Sequence, residues 1–421
     1  MIIQNFDSIT TTSARKIVLT LVEEAFLSIQ PDEVFKKNVN LNGNSLNILD
    51  SSYDLNNYEH VYLIGFGKGS AKNAKLLEDL LGEKLNEGYV IDTTRQDFKK
   101  INFTQGTHPI ISQENVDFTL RVMDRFSKLT ERDLVLVVVC GGGSAMFEHP
   151  HSVSLEQKIE IEKALLKSGA DIIEMNKIRQ HLSDVKGGGL AQILYPATIT
   201  TLIFSDVPGN DITYIASGPT VKDDTKIEDA LNLMKKYNIS NVPREAFIDN
   251  PQDDKYFEKV KNIIVLSNLT ALNAMNSKAL ELDIASEIFS DHFQGDARSA
   301  GQILISECKP NSILLVGGET TVHVTGNGKG GRNQEVVLGA LQFLGNQTTI
   351  ASFDSDGWDN CESAGAIGDF QTLEKAKNLN LSIEEYLKTN NSLDFFTKTG
   401  DAISTGRLPS NVSDLMIIYK K

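Results

Sequence analysis

Residues 60–82 read HVYLIGFGKGSAKNAKLLEDLLG, and this stretch decides the fold. An apolar run, His60–Phe66, leads into Gly67-Lys68-Gly69 and then into a helical pattern, Ser70–Leu81, closed by Gly82. A strand that passes through a glycine turn directly into a helix is the opening of a βαβ unit. Working outward, similar apolar, β-branched runs recur at residues 88–91, 134–139, 198–204, 262–266, 313–316 and 349–353. Helical patterns over residues 13–27, 115–129, 155–173, 269–282 and 296–308 lie before and between them. The alternation predicts an α/β protein: a Rossmann-like, doubly wound N-terminal domain and a smaller α/β C-terminal domain. The polar stretch from Val221 to Phe257, with turns at Asn241 and Asn250, is the natural boundary. The expected division is 1–245 and 246–421.

With 421 residues the chain is too long for one core. Its longest apolar run, Leu134–Cys140, is far short of the roughly 20 residues that cross a bilayer, so no membrane association is expected. Three widely spaced cysteines, Cys140, Cys308 and Cys361, form neither a disulfide framework nor a zinc motif, which suits a reducing cytoplasm. The formal charge of −15 and the lack of a basic face argue against nucleic acid. An anionic small ligand would need cations placed locally against that field.

Such cations occur in glycine-rich loops at predicted strand ends, the ligand-binding edge of a doubly wound sheet. The loops are Gly65-Phe66-Gly67-Lys68-Gly69-Ser70, Gly141-Gly142-Gly143-Ser144, Ser205-Asp206-Val207-Pro208-Gly209-Asn210-Asp211, and residues 326–335, which include Lys329, Gly330, Gly331, Arg332 and Asn333. Bare backbone N–H groups and helix N-termini bind phosphate, and Lys68 and Arg332 fall where a phosphate oxygen would lie. One such loop alone is usually a tight turn; four, two of them carrying cations, favour phosphate binding. Asp206 and Asp356 follow strands and are candidates for a cation or a hydroxyl proton. No P-loop and no protein-kinase motif set is present. The first loop also has Gly65, Gly67 and Ser70 at dinucleotide-fingerprint spacing, with Asp92 ending the next strand. An NAD(P)H-dependent reductase of hydroxypyruvate, or a non-catalytic nucleotide-binding module, therefore stays open.

While both alternatives stay open, eight ordered motifs point to a family. They are Gly65–Ala71; Gly106-Thr107-His108-Pro109; Gly141–Ala145; Asn176–Ser183 with Lys186-Gly187-Gly188; Ser205–Gly209; Ala216-Ser217-Gly218-Pro219-Thr220; Gly317–Thr321; and Gly330–Glu335. Over almost its whole length the chain resembles the glycerate 2-kinases of the MOFRL type. The resemblance implies transfer of the γ-phosphate of ATP to the C2 hydroxyl of D-glycerate, with Mg²⁺ or another divalent cation. It implies Lys68 and Arg332 at the reacting phosphate, and Asp206, as the acid of a loop after a strand, is expected to complete the catalytic set. Gly67, Gly141, Gly142, Gly143, Ser144, Lys186, Gly330, Gly331 and Asn333 would hold ATP phosphates; Arg179, His108 and Arg298 would hold substrate; Asp206 and Asp356 would hold the metal. The expected assembly is a monomer or homodimer. One departure stands out: the acidic loop Ser355–Ala366 is a residue shorter than the family pattern and lacks its second glycine, leaving the role of Asp359 open. C2 and C3 attack are not separable from residue types.

Overall fold

Leu134–Val139 has no polar residue on either face, and such a strand needs both faces covered. In the computed structural model, which describes residues 1–239 and 242–421, it sits inside a six-stranded sheet. The strands are β1 (His60–Phe66), β2 (Glu87–Asp92), β3 (Ile101–Gln105), β4 (Asp133–Val139), β5 (Thr198–Phe204) and β6 (Val260–Leu266). Their order is β3-β2-β1-β4-β5-β6, and the pairs from β3 to β5 are parallel. This is the Rossmann order, whose direction reverses between β1 and β4. Phe66 pairs with Ile91 on one side and Val139 on the other, and Val139 pairs with Ile203. The loops after β1, β2, β4 and β5 therefore leave the same edge. Beneath them Phe66 and Phe147 stack at 4.4 Å, both buried, each contributing roughly 1.5–3 kcal/mol to the floor of that edge.

The second sheet contains β7 (Ala285–Asp296), β8 (Ser312–Thr321), β9 (Thr348–Asp354), β10 (Gly365–Gly368), β11 (Ala402–Ile403) and β12 (Asp414–Lys420), in the order β7-β8-β12-β9-β10-β11. Only β7 and β8 pair in parallel; β12 inserts antiparallel between β8 and β9 and makes the sheet mixed.

Two expectations change. The single helical pattern at 155–173 is two helices, Leu155–Ser168 and Ile172–His181. Gly169 ends the first at φ +75°, and Asp171 caps the second by accepting from the N–H of Glu174. The compact units are Phe35–Val265 and Met1–Val34 with Leu266–Lys421, not 1–245 and 246–421. Residues up to 265 stay with the first sheet because β6 is one of its strands. Residues 1–34 join the C-terminal unit because buried Arg15 is clamped by Asp369 and Asp401, and Phe26 packs on Phe353 at 4.9 Å. The turn expected at Asn241 lies outside the described residues. Among the described residues no helix is long and apolar enough to cross a membrane.

Candidate active site

At the point where the first sheet reverses direction, the loops after β1 and β4 touch. The Lys68 N–H donates to the Gly141 carbonyl at 2.8 Å, and the Cys140 N–H donates to the Phe66 carbonyl at 3.0 Å. Gly67 has φ +104°, and a Cβ there would lie 2.3 Å from the Cys140 carbonyl oxygen, so the approach requires glycine. The Lys68 side chain is exposed. Loss of solvent around the His108 ring, with Lys68 nearby, holds that imidazole below the ordinary histidine pKa. His108 lies against Gly142, where a Cβ would come within 2.7 Å of the ring.

Asp206, in the loop after β5, lies flat on Gly141: a Cβ at 141 would sit 2.0 Å from its Oδ2. Gly141, Gly142, Ser144, Asn176, Arg179 and Asp206 are among the residues lining a cavity of about 130 Å³. The structure thus brings together Gly67, Lys68, His108, residues 141–144, Arg179 and Asp206. Ser144 Oγ also lies 3.2 Å from the hydroxyl of Ser217, which sequence reasoning passed over. Its only signal was the motif Ala216–Thr220, quoted without a role.

Lys186, expected on a phosphate, is instead buried, and burial pushes its pKa down to about 8. Its Nζ donates to the Ser144 carbonyl at 2.8 Å and pairs with Glu148, so it braces the glycine loop from behind. Glu148 also faces Lys158 at 3.4 Å; Lys158 faces Glu162 at 3.8 Å; and Glu162 holds Arg179 at 2.8 Å. The network runs + − + − +, leaving one surplus positive charge, and Arg179, at its end, lines the cavity. That surplus is the local cation an acidic protein needs for an anionic ligand.

The dinucleotide reading loses its anchor here. Asp92 is buried, and its Oδ2 accepts from the N–H groups of Gly69 and Ala71, both at 2.9 Å. A carboxylate of the protein itself fills the helix N-terminus where a pyrophosphate would sit.

The C-terminal unit uses the same device. Asp359 accepts from the N–H groups of Asn333 and Gln334 at 3.0 and 2.9 Å, at the start of the helix Arg332–Ala340. Gly331 packs on it, with a notional Cβ 2.0 Å from its carbonyl, and Gly330 packs on Ser392. Gly331 and Asn333 thus serve this cap, and Asp359 acquires a role the shortened loop had left open. Burial pushes Asp359 up to about 6. Asn333 also donates to Asp414 at 2.7 Å. Arg332 is held by Asp414 at 2.6 Å, by Glu319, and by Asp354 at 3.6 Å, with 30% of its side chain exposed. The three acids outweigh its burial and raise its pKa further, so it is cationic at any working pH. Arg298 is taken by Glu335 and the Leu387 carbonyl, within the C-terminal unit, which leaves Arg179 as the arginine lining the cavity. Asp356 accepts from the Trp358 N–H at 2.9 Å, and it belongs to a different unit from Asp206.

These features define a class: a Rossmann-ordered unit with glycine loops and a lysine at its switch point, carried in one chain with a mixed-sheet unit. Residues 17–247 match a domain family described as of unknown function (DUF4147), and residues 312–414 match the MOFRL family. A glycerate 2-kinase of Picrophilus torridus is 35% identical, over 99% of this chain and 98% of that protein. A D-glycerate 2-kinase of Thermotoga maritima is 33% identical, over 96% of this chain and 98% of its own length. The crystal structure of a glycerate kinase from Thermotoga maritima superposes with a TM-score of 0.85 at 31% identity, covering 97% of this chain and 100% of that one. The chain belongs to the glycerate 2-kinase family of the MOFRL type.

Proposed function

We propose that the protein transfers the γ-phosphoryl group of ATP to the C2 hydroxyl of D-glycerate, giving 2-phospho-D-glycerate and ADP. The observation that carries this reading is near full-length similarity to glycerate 2-kinases, with Lys68 and the glycine loop 141–143 at the switch point of the first sheet. Phosphoryl transfer asks a protein mainly for position and charge. Gly67 and residues 141–143 let backbone approach the phosphates closely, and Lys68 supplies positive charge to the phosphoryl group in transit; for Arg332 the same role rests on the likeness of its motif to that of the glycerate 2-kinases. Asp206 accepts the C2 hydroxyl proton as that oxygen bonds to the γ-phosphorus, while the bond to the β,γ-bridging oxygen breaks and ADP departs. Arg179 holds the substrate carboxylate by a charge-assisted contact.

Among the described residues no three acids, histidines or cysteines surround a common point. The donor set fits Mg²⁺, which takes one or two carboxylates and completes its shell with substrate phosphates and water. Asp206 would offer that carboxylate, and the ion would neutralise phosphate charge.

The test is ADP release from ATP with D-glycerate and Mg²⁺, with the product resolved by phosphorus NMR. Glycerate-dependent ADP release and the 2-phosphate are expected. The 3-phosphate would overturn the C2 assignment, and hydroxypyruvate-dependent NADH oxidation without ADP release would overturn the kinase reading.

A further inference from the structure

Ser144 Oγ and Ser217 Oγ lie 3.2 Å apart, a distance that by itself leaves the donor open. Two further contacts decide it. Asn176 Nδ2 donates to the Ile172 carbonyl at 3.0 Å, which turns Asn176 Oδ1 towards Ser217. The Ser217 hydroxyl donates to that oxygen at 2.7 Å. A serine has one proton to give, and that of Ser217 is committed to an amide oxygen that can only accept. The proton between the two serines therefore belongs to Ser144. Its Oγ keeps only lone pairs for the cavity that Ser144 lines.

The relay is held in place. Ser217 is buried at φ +62°, between Ala216 at +51° and Gly218 at +62°, and its carbonyl accepts from the Gly187 N–H at 3.0 Å. Consecutive left-handed residues persist only where surrounding structure imposes them. An oxygen presenting lone pairs is mismatched to a phosphate oxygen, which has no proton to offer, and matched to a hydroxyl. Asp206, lining the same cavity, is a second acceptor.

Resting on the kinase reading above, we infer that Ser144, oriented by Ser217 and Asn176, accepts the hydroxyl of glycerate that is not phosphorylated, so that the relay selects 2,3-dihydroxy acids. Asp206 takes the reacting hydroxyl and Arg179 the carboxylate, which gives three-point recognition. This departs from the expectation that Ser144 is a phosphate ligand.

The experiment measures KM for D-glycerate, KM for ATP, and the inhibition constant of D-lactate, which lacks the second hydroxyl. In Ser144→Ala, KM for D-glycerate should rise about tenfold, the worth of one hydrogen bond, with KM for ATP and the D-lactate constant unchanged. Ser217→Gly suits the positive φ, so it should fold and shift the glycerate-to-lactate ratio the same way by a smaller factor. A rise in KM for ATP, or equal weakening of D-glycerate and D-lactate in Ser144→Ala, would overturn the assignment. A wild-type ratio in Ser217→Gly would overturn the relay. If wild-type protein does not phosphorylate D-glycerate, the kinase reading fails and this assignment fails with it.

Discussion

Replacing Arg15 by Met tests whether the first 34 residues belong energetically to the C-terminal unit. Arg15 is fully buried; its Nε and Nη2 grip both oxygens of Asp369 at 2.8 and 2.7 Å, and its Nη1 donates to Asp401 at 2.6 Å. Methionine keeps most of the stem but leaves two carboxylates without their guanidinium. Removing one partner of a buried ion pair costs about 3–5 kcal/mol. The lower end applies here, because Asp401 retains Lys375 at 2.7 Å, and Asp369 still accepts from the N–H groups of Gln371 and Thr372 at 2.9 and 3.2 Å. Trp358 is the chain's single tryptophan and lies in the same unit, with Arg407 4.2 Å from the ring centroid, so its fluorescence follows that unit in a urea titration. With a slope near 2 kcal/mol per molar urea, ~3 kcal/mol moves the midpoint down by about 1.5 M. A shift below about 0.3 M would refute the clamp. So would loss of stability seen by circular dichroism without any change in the tryptophan transition.

Three other outcomes follow from the site. Arg332→Ala leaves buried Asp414 without its cation, so the tryptophan transition should move to lower urea; in buffer where the variant is still folded, kcat should fall on the order of 10³-fold in a coupled ADP assay, and near-normal kcat would remove Arg332 from the chemistry. Gly141→Ala drives a Cβ onto the Asp206 carboxylate; activity should fall at least about 100-fold by displacement of a reacting group, while the melting temperature changes by only a few degrees. Asp184 pairs with His149 and His151, each at 2.6 Å, and its hydrogen bond raises the His149 pKa above the ordinary value. That raised pKa adds stability fully present below about pH 6.5 and lost as pH rises through the folded-state value, by about 1 kcal/mol for a partly exposed pair. Urea midpoints followed by circular dichroism should therefore fall from pH 5.5 to 8.5 in wild type, and the fall should be smaller in Asp184→Asn; equal falls would show that the pair contributes nothing.

The parallel sheet was legible because a strand buried on both faces has to be apolar throughout, and Leu134–Val139 cannot disguise that. The glycine loops were legible for the same reason of necessity: Gly67 and Gly141 stand where a Cβ would strike the neighbouring loop. What stayed hidden is contact across the chain. Arg15 meets Asp369 and Asp401 more than 350 residues away, so nothing local to it announces that the N-terminal helix leaves its neighbours. Lys186 reads as a phosphate ligand until Glu148 is seen beside it. The β12 strand was missed because its interest lies in its position, between β8 and β9, rather than in its composition.

The turn at Gly330 and Gly331 carries a physical lesson that bears on function. A glycine-rich turn before a helix looks the same in sequence whether the anion at the helix N-terminus is a bound phosphate or a carboxylate of the chain. Here it is a carboxylate twice, Asp92 at the helix starting at Ser70 and Asp359 at the helix starting at Arg332. Those two dipoles are already satisfied, so they contribute little attraction for a nucleotide. In a protein of formal charge −15, positive charge for a phosphorylated ligand has to come from side chains placed at the loops. Lys68 stands exposed at the switch point, and the buried network ending at Arg179 carries one cation more than it has acids. On the proposed reading the helices position the loops, and binding of the anions falls to the loop cations and Arg179.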